Sequence, residues 1–267
     1  MREFAYLGKS DKSAEEHYAN RLRNLAVHEH NVKVLKESRG HLIVARLSRE
    51  SACNSYLPCE YCWCYLARSN HSRHYCKGKS EWEQKFNKQD LPFTADASFL
   101  LPTSSNGYDE LKEMLDGMTD GNVKLVAQSE QLIREYGAKL LCIGFADDSV
   151  KSKLRLLARF LLEIRKLTGL CSATLTECIS PPNFHRCTQA AELLVGCDPE
   201  TLSYRKSTSL KIRNILRQLS KLLKRDAIDR RDEHTVNDMD SFAELCVTDW
   251  KCPEKQTVNV DVENDSD

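Results

Sequence analysis

The sequence has few of the features that mark membrane or secreted proteins. None of its 267 residues belongs to an uninterrupted apolar run of about 18 residues, which excludes a membrane-spanning helix. Residues 1–20 are polar and charged, without the apolar core of a secretory signal. The twelve cysteines are therefore expected to be mostly free thiols in a reducing compartment rather than disulfides. We expect a soluble, intracellular protein with no membrane partner.

Motifs for catalysis are also scarce. The chain has no glycine-rich phosphate loop of the Gly-x-x-x-x-Gly-Lys type and no Gly-x-Ser-x-Gly elbow. Asp147 and Asp148 form an isolated acidic pair, which fits the N-terminal cap of a following helix. Cys187 lies close to His185, but proximity to a thiol carries little weight in a chain this rich in cysteine. The sequence therefore predicts a protein that is not an enzyme.

The most informative motif is a pair of cysteines, Cys59 and Cys62, followed by His74 and Cys76. Two thiols separated by two residues form a tight turn that points both sulfurs at one ion, and a later histidine continues a tetrahedral zinc site. These four residues are the predicted zinc ligands. Cys53, Cys64 and His71 are the reserve ligands.

The fourth ligand is the least regular part of this motif. Zinc fingers usually place their last two ligands three to five residues apart, whereas His74 and Cys76 lie two apart. On a continuous helix, positions two apart point in nearly opposite directions. Cys76 can therefore bind the metal only if a helix that carries His74 has already ended, and the Gly78 region would permit such an exit.

The residues before the motif read as a small mixed unit. A helix is predicted at about 14–25, followed by strands at 31–35 and 41–47 that are joined by a turn at 38–40. His28 and His30 flank the first strand. They can be read as a second metal site or, more simply, as packing or surface histidines.

The second half of the chain shows helical periodicity. Apolar spacing predicts helices at about 108–118, 122–136 (stopped by Gly137), 149–167 (stopped by Gly169), 181–195 (stopped by Gly196) and 207–228. The fold class is therefore mainly α, with a small α+β zinc-binding unit followed by a helical domain. The predicted organisation is a disordered segment at 1–12, a zinc-binding unit at 13–79, a linker at 80–103, a helical basic domain at 104–231 and an acidic tail at 232–267.

Charge is divided unevenly along the chain although the formal net charge is zero. Residues 151–231 hold 17 Lys or Arg against 7 Asp or Glu, whereas residues 232–267 hold 2 against 11. A basic block followed by an acidic, aromatic-poor segment indicates a polyanion-binding surface with a disordered appendage. The tail is expected either to remain solvated or to fold back on the basic face and weaken non-specific binding.

The last predicted helix carries an apolar face and a basic stripe, with no acidic residue between Thr201 and Arg225. Surface helices normally mix charges of both signs, so an unmixed stripe suggests phosphates as partners. The predicted DNA-binding residues are Arg155, Arg159, Lys166, Lys211, Arg213, Arg217, Lys221, Lys224 and Arg225. Such contacts give affinity without base readout, so binding is expected to depend strongly on salt and weakly on sequence.

Three segments carry a resemblance to a known family: 27–36, the Tyr56–Cys62 motif with Ser72–His74, and the helical stretch that contains Lys153–Arg159. Together they resemble Crypton-type transposon proteins, a largely uncharacterised group from fish and invertebrates with a zinc knuckle before a tyrosine-recombinase-like region. The resemblance covers residues 20 to about 250. It implies a nuclear, DNA-associated protein whose helical half is similar to a recombinase core-binding domain.

The chain departs from that family in two ways. The family's last zinc cysteine usually follows the histidine by four residues, a position held here by Gly78. Tyrosine recombinases also need an arginine, a His-x-x-Arg motif and a tyrosine nucleophile, and no His-x-x-Arg occurs in this chain. We therefore expect no strand cleavage. The alternative function is a zinc-stapled interaction module whose basic helices bind an acidic protein partner.

Overall fold

The computed structural model describes residues 12–37, 39–46, 55–71, 73–76, 78, 80, 96–103, 106–119, 121–195, 197–198, 203–204 and 206–250. Several predictions lie outside these residues: disorder at 1–11, the reserve ligand Cys53, most of the linker, the helix stop at Gly196 and the acidic tail beyond residue 250. None of the helices in the described ranges is long and apolar enough to cross a membrane.

The described chain is mainly α-helical with one small α+β unit, as the sequence predicts. Its helices are α1 (Lys12–Glu37), α2 (Arg68–His71), α3 (Asn106–Asp116), α4 (Gly121–Ser129), α5 (Gln131–Cys142), α6 (Asp147–Thr168), α7 (Leu175–Cys178), α8 (Phe184–Val195), α9 (Lys206–Asp229) and α10 (Glu233–Thr248). Two 3₁₀ turns, η1 (Asp96–Leu100) and η2 (Pro181–Asn183), precede α3 and α8. The strands are β1 (Tyr56–Pro58), β2 (Tyr65–Ala67), β3 (Cys197–Asp198) and β4 (Ser203–Tyr204).

The two strands predicted before the cysteine motif are wrong. Helix α1 continues through residues 31–35, and Asn31 and Val32 are buried three and four positions after the buried His28, as on one face of a helix. The described part of the second predicted strand, residues 41–46, has no strand assignment. Instead, the Asn31 side chain accepts a hydrogen bond from the Ile43 amide and donates one to the Ile43 carbonyl, both at 2.8 Å. One buried amide therefore fastens this segment to α1.

Strands β1 and β2 form an antiparallel hairpin in which Tyr56 faces Ala67, Leu57 faces Leu66 and Pro58 faces Tyr65. The hairpin turn contains the cysteine motif, and α2 follows β2 without a break. The Ala45 amide donates to the Tyr65 carbonyl at 3.0 Å, so the segment after α1 lies along the outer side of β2. This α1–hairpin–α2 assembly is called the knuckle unit below.

Helices α3 to α10 surround a single hydrophobic core, which includes Tyr136, Phe160, Leu216 and Phe242, all fully buried. The helix predicted at 122–136 is in fact two helices, α4 and α5. Glu130 lies between them in an extended conformation. Its buried carboxylate accepts a hydrogen bond from the Leu175 amide, which ties this break to the start of α7.

Gly137 does not end a helix, contrary to the prediction. It lies inside α5, at the point where side chains of α3 and α6 approach that helix closely. A Cβ at position 137 would lie 2.7 Å from a Leu111 methyl carbon and 3.1 Å from one of Leu154. Gly169 does end α6, with φ of 69°, as predicted.

The segment predicted as a disordered acidic tail begins with a helix. Residues 233–248 form α10, which packs along α9 and buries Met239, Phe242 and Cys246 in the core. Asp232 caps its N-terminus by accepting from the Thr235 amide at 3.0 Å. The apolar residues recur at helical spacing among the acidic ones, and this periodicity outweighs the low aromatic content.

We expect Gly137→Ala to destabilise the protein although alanine favours helices. The overpacked methyl group should cost about 1–3 kcal/mol against a helix-propensity gain of about 1 kcal/mol. The matched control is Gly121→Ala at the start of α4, where an added Cβ meets nothing within 4 Å. Urea unfolding should give a lower midpoint for the first variant and an equal or higher one for the second. Equal stabilisation in both would contradict this packing.

Candidate metal centre

The turn of the hairpin forms a knuckle around Cys59 and Cys62. The Trp63 amide donates to the Cys59 carbonyl at 2.8 Å, and the Cys59 amide donates to the Cys64 carbonyl at 2.9 Å. These bonds close the turn and bury both thiols, with Cys59 3% and Cys62 9% exposed. Trp63 completes the turn with a positive φ of 62°, a conformation rare for a bulky side chain.

The remaining two donors come from the segment after α2. That helix ends at His71, and residues 74–76 have no helical assignment. His74 and Cys76 are therefore not forced to point in opposite directions, as they would be on a continuous helix. Their donor atoms both lie in the cluster with Cys59 and Cys62, while Tyr75 between them is 76% exposed.

Four donor atoms converge at this point. One ligand atom each from Cys59, Cys62, His74 and Cys76 lies within 4.8 Å of all the others. The sulfurs of Cys59 and Cys76 are 3.9 Å apart, and the Cys62 sulfur is 3.3 Å from His74 Nε2. A tetrahedral ion with metal–sulfur bonds of about 2.3 Å and a metal–nitrogen bond of about 2.0 Å needs edges of about 3.5–3.8 Å. The cluster can therefore hold one metal ion with little movement.

The electrostatics of the cluster also fit a cation. Hydrogen bonding with Cys59 and Cys64, together with burial, raises the pKa of Cys62 well above that of an ordinary thiol. Buried sulfurs this close repel one another as thiolates, so they lose their protons readily only when a cation shares the charge. All four donors belong to the protein, and a four-donor set of this kind is typical of structural rather than catalytic sites.

His71 and Cys64, the reserve ligands among the described residues, make other contacts. His71 Nε2 lies 3.1 Å from the Pro58 carbonyl, which links α2 to β1. Cys64 is partly exposed and lies outside the four-donor group, although its carbonyl closes the knuckle. The idea of a second metal site at His28 also fails, because the His28 ring packs between aromatic residues instead.

The knuckle unit is held against the helical domain by charged and aromatic contacts with α9. Glu60, between the two knuckle cysteines, forms an ion pair with Lys221 at 2.5 Å. The Lys224 ammonium lies 5.1 Å from the centre of the Trp63 ring and also pairs with Asp240 of α10 at 2.5 Å. Trp63 itself packs with Leu100 and Ile228, both buried. The metal site and the helices are thus parts of one packed structure.

These contacts correct the prediction of an exposed basic stripe on α9. Arg217, Lys221 and Lys224 are only 5–7% exposed, because α10 and the knuckle unit cover that face. Arg225 is partly buried and lies 2.7 Å from Asp226 and 3.9 Å from Glu135. Glu60 and Asp240 were not predicted as partners of these cations. The available signal was that Glu60 lies between the two cysteines of the motif and Asp240 among the apolar residues of the segment predicted as a tail.

The other predicted DNA-binding residues lie differently. Arg159, Lys166 and Lys211 are exposed, and Lys166 pairs with Glu163 at 2.7 Å on its own helix. Arg155 and Arg213 are partly buried. The basic residues left at the surface are therefore on α6 and in the first half of α9.

No protein-family model matches the chain, no curated protein matches it, and no solved structure matches its fold. The resemblance to Crypton-type transposon proteins therefore stays a prediction from the sequence.

We expect Cys76→Ser to weaken metal binding strongly, because it removes one of four converging donors. Cys64→Ser is the matched control, since Cys64 lies beside the cluster without belonging to it. Native mass spectrometry should find one metal ion on the parent chain and on the control, and cobalt titration should give thiolate charge-transfer bands in both. Loss of metal from the Cys64 variant alone would show that the wrong fourth ligand has been assigned.

Behind the metal site, His28 is buried in an aromatic pocket. Its Nδ1 lies 2.9 Å from the Tyr65 hydroxyl, and its ring centre is 4.8 Å from that of Trp63. Burial lowers the pKa of His28 from 6.5 to about 4, so the ring is neutral in the folded protein at pH 7. As the pH falls, His28 is protonated near pH 6.5 in the unfolded chain but only near pH 4 in the folded protein.

We therefore expect stability to fall as the pH drops from 6.5 to about 4, by up to roughly 3 kcal/mol from this ring. His28→Gln, which cannot be protonated in this range, should reduce that pH dependence, whereas His30→Gln at the exposed neighbouring histidine should not. The parent and both variants keep the four metal ligands. Any loss of metal in acid therefore affects their stabilities equally and does not change the difference between them. Denaturant unfolding at several pH values checks this, and identical profiles would contradict it.

Proposed function

We propose that this chain is a zinc-stabilised DNA-binding protein in which the metal ion holds the knuckle unit in shape against a helical domain. The observation that carries the zinc assignment is the convergence of three sulfurs and one imidazole nitrogen. Soft thiolates with one imidazole in a tetrahedral arrangement favour zinc. Because all four positions are taken by protein atoms, zinc would stabilise the fold and activate no water.

The charge distribution supports DNA as the partner. The basic block at 151–231 has a surplus of ten positive charges, counted as 17 minus 7. Part of that surplus is used inside the protein, where Lys221 and Lys224 bind carboxylates. The surface that we assign to phosphate contacts includes Arg159 and Lys211, which are both exposed. Binding through such contacts would be salt-dependent and weakly specific.

The proposed role has no strand-cleavage step and places the protein in the nucleus, where its DNA partner is found. It agrees with the implied relation to Crypton-type transposon proteins, in which a recombinase-like helical region follows a zinc knuckle. Arg217, Lys221, Lys224 and Arg225 no longer belong to the DNA surface. Lys221 and Lys224 instead join α9 to the knuckle unit and to α10, and Arg225 pairs with Asp226 and with Glu135 of α5.

A second candidate function is a zinc-stapled module that binds an acidic protein partner. The observation in its favour is a set of leucines exposed on the helical domain, Leu125, Leu170 and Leu193, with exposed fractions of 56–63%. Exposed apolar side chains suit contact with a protein surface better than contact with a phosphate backbone. This candidate takes precedence if a partner stays bound in the presence of excess duplex DNA.

The double variant Arg159→Ala/Lys211→Ala tests the DNA surface. We expect weaker binding to every duplex sequence and a salt slope smaller by about 1.8, or ~0.9 for each phosphate that the variant no longer neutralises. The matched control is Lys112→Ala/Arg134→Ala, which removes two exposed cations outside the basic block. Fluorescence anisotropy over a salt series measures both. Unchanged affinity in the first variant would rule out this surface.

A further inference from the structure

A cavity of about 330 Å³ lies at the seam between the knuckle unit and the helices α9 and α10. Glu60, Tyr61 and Gly78 line it on the knuckle side. On the helical side it is lined by Arg217, Lys221 and Lys224 of α9 and by Asp240 and Glu244 of α10. Arg21 of α1 also lines it. A phosphate group, with a volume well below 100 Å³, fits this space.

Arg217 is a buried cation of this wall that forms no ion pair with any carboxylate of the described residues. Its side chain is 5% exposed, and both Nε and Nη1 are buried without a hydrogen-bond partner. A buried guanidinium is normally paired with a carboxylate or another anion, because leaving it unpaired costs several kcal/mol. An unpartnered buried donor in a native protein points to an ion or water that completes it.

The neighbouring charges leave room for an anion. Two of the lysines in the wall are paired, Lys221 with Glu60 and Lys224 with Asp240. Counting all lining groups, four cations (Arg21, Arg217, Lys221, Lys224) face three carboxylates (Glu60, Asp240, Glu244). The net charge of the wall is therefore +1, and the planar fork of Arg217 suits bidentate binding of a tetrahedral oxyanion.

We propose that this cavity binds a phosphate group, with Arg217 as its principal ligand and the ammonium groups of Lys221 and Lys224 adding attraction. Such a group would join α9 to the knuckle unit from inside the seam. The site is separate from the exposed residues assigned to DNA, so it stands whether or not the chain binds duplex DNA.

The test uses the full-length, zinc-loaded chain, with free zinc removed and ionic strength matched by chloride. Inorganic phosphate at 10 mM should raise the melting temperature by about 5 °C if its dissociation constant is about 0.1 mM. Arg217→Met should abolish that rise and be at least as stable as the parent in phosphate-free buffer, because it removes an uncompensated buried charge. Lys211→Met, an exposed cation of the same helix, is the control and should respond as the parent does.

A melting temperature of the parent that phosphate does not change overturns the proposal. So does an Arg217→Met protein destabilised equally in both buffers, since that result assigns Arg217 a packing role. Should this variant fail to fold, the phosphorus NMR linewidth of phosphate with the parent chain decides, because binding broadens the line and sulfate in excess restores it. Absence of broadening overturns the site.

The phosphate can come from the free ion or from a phosphate ester. Adenosine 5′-monophosphate and adenosine, each added to the parent chain, distinguish the two sources. If the monophosphate competes with phosphate and adenosine does not, the cavity accepts esters. If neither competes while phosphate binds, it holds the free ion, and both results support the assigned chemistry.

Discussion

The ion pair between Glu60 and Lys221 is the contact on which the arrangement of the two halves depends. Glu60 lies between the two cysteines of the knuckle, so its position is set by the metal site. Lys221 is almost fully buried in the face of α9 that the knuckle unit and α10 cover. Removing Glu60 would take a carboxylate away from an almost fully buried ammonium group and so weaken the attachment of the knuckle unit to α9. Metal binding and helix packing are therefore coupled through one short contact.

Trp63 also couples the metal site to the helices, through the packing of its ring. Its backbone lies in the left-handed region, which costs about 1–2 kcal/mol for a residue with a Cβ. The turn is stabilised because Trp63 is 2% exposed, and its ring packs against His28 and lies 5.1 Å from the Lys224 ammonium. A metal ion that joins Cys59 and Cys62 would hold this strained turn closed. Without it, the packing alone would have to offset the strain.

Much of the structure follows from patterns that the sequence displays. The cysteine spacing, the long helix that ends at Gly169 and the mainly helical class were predictable, because each depends on local spacing or on one backbone conformation. The errors came from tertiary contacts. Valine-rich residues 31–35 resemble a strand locally, but the residues of α1 that become buried are fixed by the hairpin packed against it. Gly137 was read as a helix stop because its role, the close approach of Leu111 and Leu154, is invisible in sequence.

Tertiary contacts also explain why the prediction of an exposed basic stripe on α9 was wrong. A run of cations without acidic neighbours in sequence favoured an open polyanion surface, yet its carboxylates come from Glu60 and Asp240, which are distant along the chain. The segment taken for a free acidic tail supplies one of them through α10. Charge patterning along one helix therefore indicated which residues carry charge but not which of them face solvent. The surface assigned to DNA is smaller than the stripe and shifted toward α6.

The most direct test of this account is hydrogen exchange, followed by mass spectrometry, on the zinc-loaded chain before and after a strong chelator. Chelation should abolish protection in residues 56–76 and speed exchange where α9 and α10 meet the knuckle unit, while α5 and α6 in the helical core keep their protection. Unchanged exchange in the 56–76 segment after metal removal would contradict the claim that the ion holds the knuckle unit against the helices.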